Sequence, residues 1–243
     1  MTMTLHIFKA AWGGMQPSNL CLKVDVWLQL AGLEFERVAS NLASRAPRRR
    51  VPFVRLDDGS WIDDSEVIIA TLSARHGIDV DVGLSDAERG LSRAVQQMID
   101  EHMFFMLIDS RWNDDAVWPH VRDNFLGPWP WPLRLLVGMI FRRGVRRRIR
   151  LQGYGRYTVA ERQQKAEANL LALDQILGDK PFMLGDVPRS IDAAAYGMLA
   201  SIHFANLETS LAAILRRFPR LVAHTQRMEA RFGRGIAVPK GKA

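Results

Sequence analysis

Ser18 and Cys21 stand one helical turn apart in Ser18-Asn19-Leu20-Cys21, at a point the sequence marks as the start of a helix. Ser18 is a preferred N-cap residue. Leu20, Val24, Trp27, Leu28 and Ala31 follow on one face, and Gly32 stands where a glycine ends a helix. A hydroxyl at such a start can donate a hydrogen bond to a thiolate, and the helix dipole favours the same ionised sulfur. Cys21 is the chain's single cysteine, so dithiol redox chemistry, an internal disulfide and a cysteine-based zinc site are excluded. Its own thiol, one turn in, reads as buried and unreactive. A second constellation begins at Val51-Pro52 and ends at Asp64-Ser65. Between them an Asp58-Gly59 turn joins two short strands. Pro52 belongs at a sheet edge or a strand start, because it has no N–H to give. The second strand runs into a helix whose first turn carries Asp64, Ser65 and Glu66. Free N–H groups there suit a carboxylate, and an acidic neighbour suits an ammonium.

The elements that must hold these residues follow from periodicity. Strands are predicted over residues 5–8 and 34–39, with the Ser18 helix between them. A loop or irregular helix covers 41–50, then come the hairpin and a helix over 65–75. This βαβ-then-ββα order is the thioredoxin-like pattern. From Ser85 onward no segment reads as a strand. Helices are predicted over 88–108, 115–125, 133–151, 159–177 and 191–206, with one or two more over 211–232, broken at Pro219. Alanines in 191–206 mark a central, buried helix, and Gly127-Pro128-Trp129-Pro130-Trp131-Pro132 interrupts the helical run. The expected fold is therefore α/β plus all-α: a thioredoxin-like domain over 1–78, a linker over 79–84, a helical bundle over 85–232, and a mobile basic tail over 233–243.

These residues resemble the glutathione transferase superfamily. In that family the residue before a cis-proline pairs by its backbone with the cysteinyl part of glutathione, and an acid-serine pair takes the γ-glutamyl end. The resemblance places these roles on Val51, Pro52, Asp64 and Ser65, and makes Ser18 the thiolate-stabilising hydroxyl. Taken alone Ser18 reads as a helix cap; joined to the other four at this order and spacing it reads as a site residue. A narrower resemblance covers nearly the whole chain. Pro17-Ser18, Cys21-Leu22-Lys23-Val24, Gln152-Gly153-Tyr154-Gly155-Arg156 and Leu177-Gly178-Asp179-Lys180-Pro181-Phe182 are similar to the branch holding failed-axon-connections and metaxin-like proteins. Three departures stand out. Asn19 and Leu20 replace a proline-aromatic pair. Arg189 stands where a capping threonine precedes Asp192, so the capping box is shifted or lost. Arg48-Arg49-Arg50 adds charge before Val51, as a solvated loop or as a partner for the glycyl carboxylate.

What the resemblance implies is a detoxifying transferase, cytoplasmic and homodimeric, that joins glutathione as co-substrate to a small or hydrophobic electrophile. Activating sulfur alone achieves little. A thiol of pKa about 8.5 is about 3% ionised at pH 7. Lowering its pKa by roughly two units takes about 2.7 kcal/mol and raises the thiolate roughly 25-fold, of which a nucleophilicity slope of about 0.45 removes about eight-fold. Any large acceleration must come from holding the electrophile against the sulfur, and that falls to the helical half. Phe104, Phe105, Trp112 and Trp118 read equally as core or as wall of such a pocket. The alternative reading is a non-catalytic member used for ligand binding or membrane-associated assembly, as in metaxin-like relatives.

Composition narrows the classes further. The chain has 243 residues and a net charge of +7, with 48% hydrophobic and 24% charged residues, which is ordinary globular composition. No signal peptide is visible at the start, and no apolar run approaches the ~20 residues that span a bilayer. The positive charge is concentrated in Arg142, Arg143, Arg146, Arg147, Arg148 and Arg150, just after an apolar, aromatic stretch. That pattern suits an anionic membrane surface, or a helix whose arginines are solvated or paired. No nucleic-acid recognition motif accompanies it, and no metal site is expected.

Overall fold

The computed structural model describes residues 3–12, 15–39, 46, 48, 50–127 and 129–233. Most of the predicted 41–50 loop, Arg49 included, and the tail beyond Gly233 lie outside the described residues. The first half is a four-stranded sheet in the order β2-β1-β3-β4. Strand β1 (Thr4–Ile7) runs parallel to β2 (Glu36–Ala39) and antiparallel to β3 (Phe53–Arg55), which pairs with β4 (Trp61–Asp63). Leu5 and Ile7 on the central strand are fully buried. The β3–β4 turn places Gly59 at φ 84°, in the region that favours glycine. Helix α1 (Asn19–Leu30) starts on Ser18, whose Oγ accepts the Cys21 N–H at 3.3 Å. It ends before Gly32 at φ 67°, as predicted. Helix α2 (Ser65–His76) is capped by Asp64 and closes on left-handed Gly77.

The second half is helical. Helix α3 (Asp86–Gln97) begins with a capping box between Ser85 and Glu88. The single helix predicted over 88–108 is interrupted by a π-helical turn at Met98–Met103, then resumes as α4 (Phe104–Trp112). Ile99 and Met103 are both buried, at a spacing of four that an ordinary α-helix also allows, which is why periodicity does not reveal the π turn. Helix α5 (Trp118–Leu126) and α6 (Trp131–Gln152) flank the proline-rich break. Pro132 falls in the first turn of α6, where its missing N–H costs nothing. Helices α7 (Val159–Leu177), α8 (Ser190–His203), α9 (Ser210–Leu215) and α10 (Pro219–Met228) complete the bundle, with a final π turn at Glu229–Gly233.

Helix α8 is the element that joins the halves. It is buried from Ser190 to Ile202. Ala193, Tyr196 and Ala200 enter the same apolar cluster as Leu5, Trp27 and Phe53 of the sheet half. Gly197 permits the contact, since a Cβ there would lie 2.4 Å from the Asn19 carbonyl oxygen. The start of α8 keeps half of its capping box: the Asp192 carboxylate accepts the Arg189 N–H at 2.9 Å, while a guanidinium has no acceptor to return. Arg189 instead reaches back to the Val80 carbonyl at 3.1 Å, and Asp81 accepts the Ser190 N–H at 2.9 Å. The segment between α2 and α3 is thus tied to the start of α8.

Candidate functional site

Ser18, Val51, Asp64 and Ser65 line one cavity of about 620 Å³ between the sheet half and the helical half. The Val51–Pro52 bond is cis. Among the described residues no hydrogen bond engages the Val51 backbone, so its N–H and C=O are available to a ligand. Asp64 sits at φ 75° and ψ 125°, outside the ordinary regions for a residue with a side chain. Such a conformation costs on the order of 1–3 kcal/mol and persists only where the surroundings impose it. One Asp64 carboxylate oxygen accepts the Glu66 N–H at 3.1 Å. The Ser65 N–H and hydroxyl, at the tip of α2, have no partner among the described residues.

The helical half supplies residues that the sequence reading passed over. Asp100 and Glu101 come from the π turn and face the same cavity. Lys23 of α1 pairs with Asp100 Oδ2, both side chains nearly buried. The other oxygen of Asp100 is buried without a partner. Burial, partly offset by the Lys23 ammonium, holds the Asp100 carboxyl above the usual carboxylate range. A signal existed: Lys23 stands between Leu22 and Val24 in a mostly apolar helix, and such a charge needs a partner. Of the basic loop, Arg48 is committed to Asp63 at 2.6 Å, whereas Arg50 faces the cavity with no ion pair among the described residues.

A second cavity, about 490 Å³ and mostly apolar, opens on the other side of Ser18. Phe104, Trp112 and Trp118 form part of its wall, with Leu107, Ile108 and Phe125. Phe105 turns instead toward the polar cavity. Ser18, Phe8, Phe104 and Arg148 face both spaces. Ser18 is half-buried. Its oxygen already serves as the cap acceptor, which leaves the hydroxyl hydrogen to donate. Cys21 is fully buried and its thiol is pushed up to about 12 by burial, which fits the inert cysteine expected from sequence. The described residues hold no cluster of ligands for a metal ion.

The arginine-rich segment divides by face. Arg142 and Arg146 both reach Asp115, at 2.6 and 3.2 Å. Arg143, Arg147 and Arg150 have no ion pair among the described residues and continue the exposed stripe of Leu133, Leu136 and Ile140. No helix among the described residues is long and apolar enough to cross a membrane.

A thioredoxin-like half docked on a helical bundle, with a two-part cleft between them, defines the class, and comparison with known proteins agrees. A model described as the glutathione S-transferase N-terminal domain matches residues 20–117, and one described as the glutathione S-transferase C-terminal domain matches residues 166–228. The chain belongs to the glutathione S-transferase superfamily. Failed axon connections of Drosophila melanogaster is 28% identical over 233 residues, covering 87% of this chain, which spans only 53% of that protein. Isoprene-epoxide–glutathione S-transferase of Rhodococcus sp. (strain AD45) is 29% identical, covering 95% of this chain and 99% of that protein. Human metaxin-2 is 23% identical, covering 87% and 81% respectively. Among solved structures, a glutathione S-transferase from Methylobacterium radiotolerans JCM 2831 in complex with glutathione sulfonate shares the fold. Its TM-score is 0.63 at 18% identity, covering 100% of this chain and 97% of that one.

Proposed function

We propose that this protein is a glutathione transferase that joins the glutathione thiolate to a small hydrophobic electrophile. One observation carries the reading: the Ser18 hydroxyl stands where a charged cavity and an apolar cavity meet. The charged cavity offers both signs, Arg50 and Arg148 against Asp64, Asp100 and Glu101. That suits a peptide with one ammonium and two carboxylates. In this reading Val51 pairs with the cysteinyl backbone beside Pro52, and Ser65 N–H and Oγ take the γ-glutamyl carboxylate at the start of α2. Asp64 and the unpartnered oxygen of Asp100 hold the ammonium, and Arg50 takes the glycyl carboxylate. Ser18 donates to the sulfur. The thiol proton leaves to solvent, sulfur bonds to the electrophilic carbon, and the electron pair of the broken bond goes to the leaving atom. The name of the Rhodococcus relative supports an epoxide as one electrophile of this kind.

Calorimetric titration of glutathione tests the reading. Micromolar to low-millimolar binding that weakens sharply in Ser65→Ala and Asp64→Ala supports it. No binding up to several millimolar removes it. In the family's usual manner the protein would act as a homodimer in the cytoplasm, which sedimentation and fractionation check.

A second reading rests on α6. Trp131, Leu136, Met139 and Ile140 are each more than half exposed, and the same stripe continues as Arg143, Arg147 and Arg150. This is the pattern of a helix lying on an anionic membrane surface. Co-sedimentation with phosphatidylserine vesicles, and not with phosphatidylcholine vesicles, at physiological salt is the outcome it requires.

A further inference from the structure

The apolar cavity carries a charge that its greasy walls do not predict. Arg111, Arg122 and Arg148 face it, and among the described residues no aspartate or glutamate does. Arg122 is paired with Asp123 at 2.8 Å. Arg111 and Arg148 have no ion pair among the described residues. Arg111, on α4, is buried. It donates to the Pro17 carbonyl at 2.7 Å and the Ser201 carbonyl at 2.5 Å, and its guanidinium lies over the Trp12 ring, 4.8 Å from the centroid. Those bonds occupy two of its five N–H donors. Neutral carbonyls solvate a cation without neutralising it. Burial pushes the guanidinium down to about 9, which leaves it charged at neutral pH. A buried charge without a counter-ion is costly until an anion joins it. Arg148, on α6, also lines the cavity, 5.7 Å from the ring centroids of Phe104 and Phe105.

We propose that the apolar cavity selects a ligand with a carboxylate on an apolar body, the carboxylate lying against Arg111 and the body against Leu107, Ile108 and Phe125. The inference rests on the transferase reading only in making this ligand the second substrate, an apolar electrophile that bears an acid. Arg111 is thus a specificity-determining residue, and Arg148 adds long-range attraction at the mouth.

The test is calorimetric titration of the full chain with 4-phenylbutanoate and with 4-phenylbutanamide, two ligands of one shape that differ in charge. The acid binds roughly tenfold or more tightly than the amide, as a charge-assisted hydrogen bond requires. Arg111→Met erases the difference and Arg111→Lys restores part of it. Because Arg111 also ties three segments together, the exposed Arg148→Gln serves as a second variant, in which the preference falls several-fold with the circular dichroism unchanged. An amide that binds as tightly as the acid to the unaltered protein, or binding of neither up to several millimolar, overturns the proposal. A preference that survives Arg111→Met in folded protein overturns the role of Arg111. Glutathione titrated into the same sample separates the two readings. If glutathione does not bind while the acid preference persists, the transferase reading falls and the anion pocket stands.

Discussion

Lys23 and Asp100 meet across the boundary between the sheet half and the helical half, as an ion pair almost wholly withdrawn from water. One partner lies on α1, five residues past Ser18; the other lies in the π turn beside the polar cavity. The pair therefore fixes the distance between the two walls of the site. Removing one partner strands the other in a dry place, so Lys23→Met should cost about 3–5 kcal/mol. Urea unfolding of the two proteins measures it, and a loss under about 1 kcal/mol would show that water reaches Asp100.

Asp100 also sets a pH dependence of stated sign. Its folded carboxyl lies above the ordinary range because burial outweighs the pull of Lys23. A raised folded value means a contribution fully present below about pH 3.9 and lost as pH rises through the folded value. The stability difference between the unaltered protein and Asp100→Asn should therefore shrink as pH climbs across that window. Denaturant titrations at successive pH values decide the sign, and a widening difference would contradict the buried carboxyl.

Ser18 does two jobs with one oxygen, and two substitutions separate them. Ser18→Ala should lose about 1 kcal/mol of stability from the cap and lower kcat by roughly tenfold or more, the worth of a hydrogen bond to a charged sulfur. Ser18→Asp should keep the cap and, having no hydrogen to donate, still lose the turnover. If Ser18→Asp turned over at the original rate with an electrophile accepted by the parent, the hydroxyl would have no part in the chemistry.

Gly197 should not accept a methyl group. The added carbon would meet the Asn19 carbonyl oxygen at 2.4 Å and the Lys23 nitrogen at 3.1 Å. Gly197→Ala should cost about 1–3 kcal/mol of overpacking, read as a lower Tm, and should weaken glutathione binding because the displaced backbone belongs to the start of α1.

Cys21 should ignore alkylating reagents in the native state. With its thiol pushed up to about 12 by burial, roughly one molecule in ten thousand is ionised at pH 8. Iodoacetamide followed by mass spectrometry should show labelling only after unfolding. Rapid native labelling would place Cys21 in contact with solvent.

The parts of the site that are legible in the sequence are those specified locally. Ser18 as cap, Gly32 as a stop, the Asp58-Gly59 turn and the Asp64-Ser65 helix start each depend on a few neighbouring residues, and each lies where the residue types put it. The partner of Lys23 is not legible, because 77 residues separate it from Asp100 and only the packing of α1 against the bundle brings them together. The same holds for Arg189. Its lack of a capping side chain is visible in the sequence, whereas its bond to Val80 depends on where the preceding turn is laid down. Nor does the spacing of arginines in α6 tell paired from unpaired, since the distinction rests on Asp115 in another segment.

Ala193, Tyr196, Ala200, Met228 and Phe232 belong to the same apolar cluster as the strands and α1, so the amino-terminal half does not own its interior. Cut from the rest, it would present the face around Lys23, Leu22 and Trp27 to water, together with a lysine that has lost its acid. The two halves should accordingly melt in a single transition rather than two, and a fragment ending near residue 84 should be insoluble or only partly ordered. In this chain the scaffold of the candidate site is not a portable module: its architecture is finished by residues of α8, α10 and the final π turn.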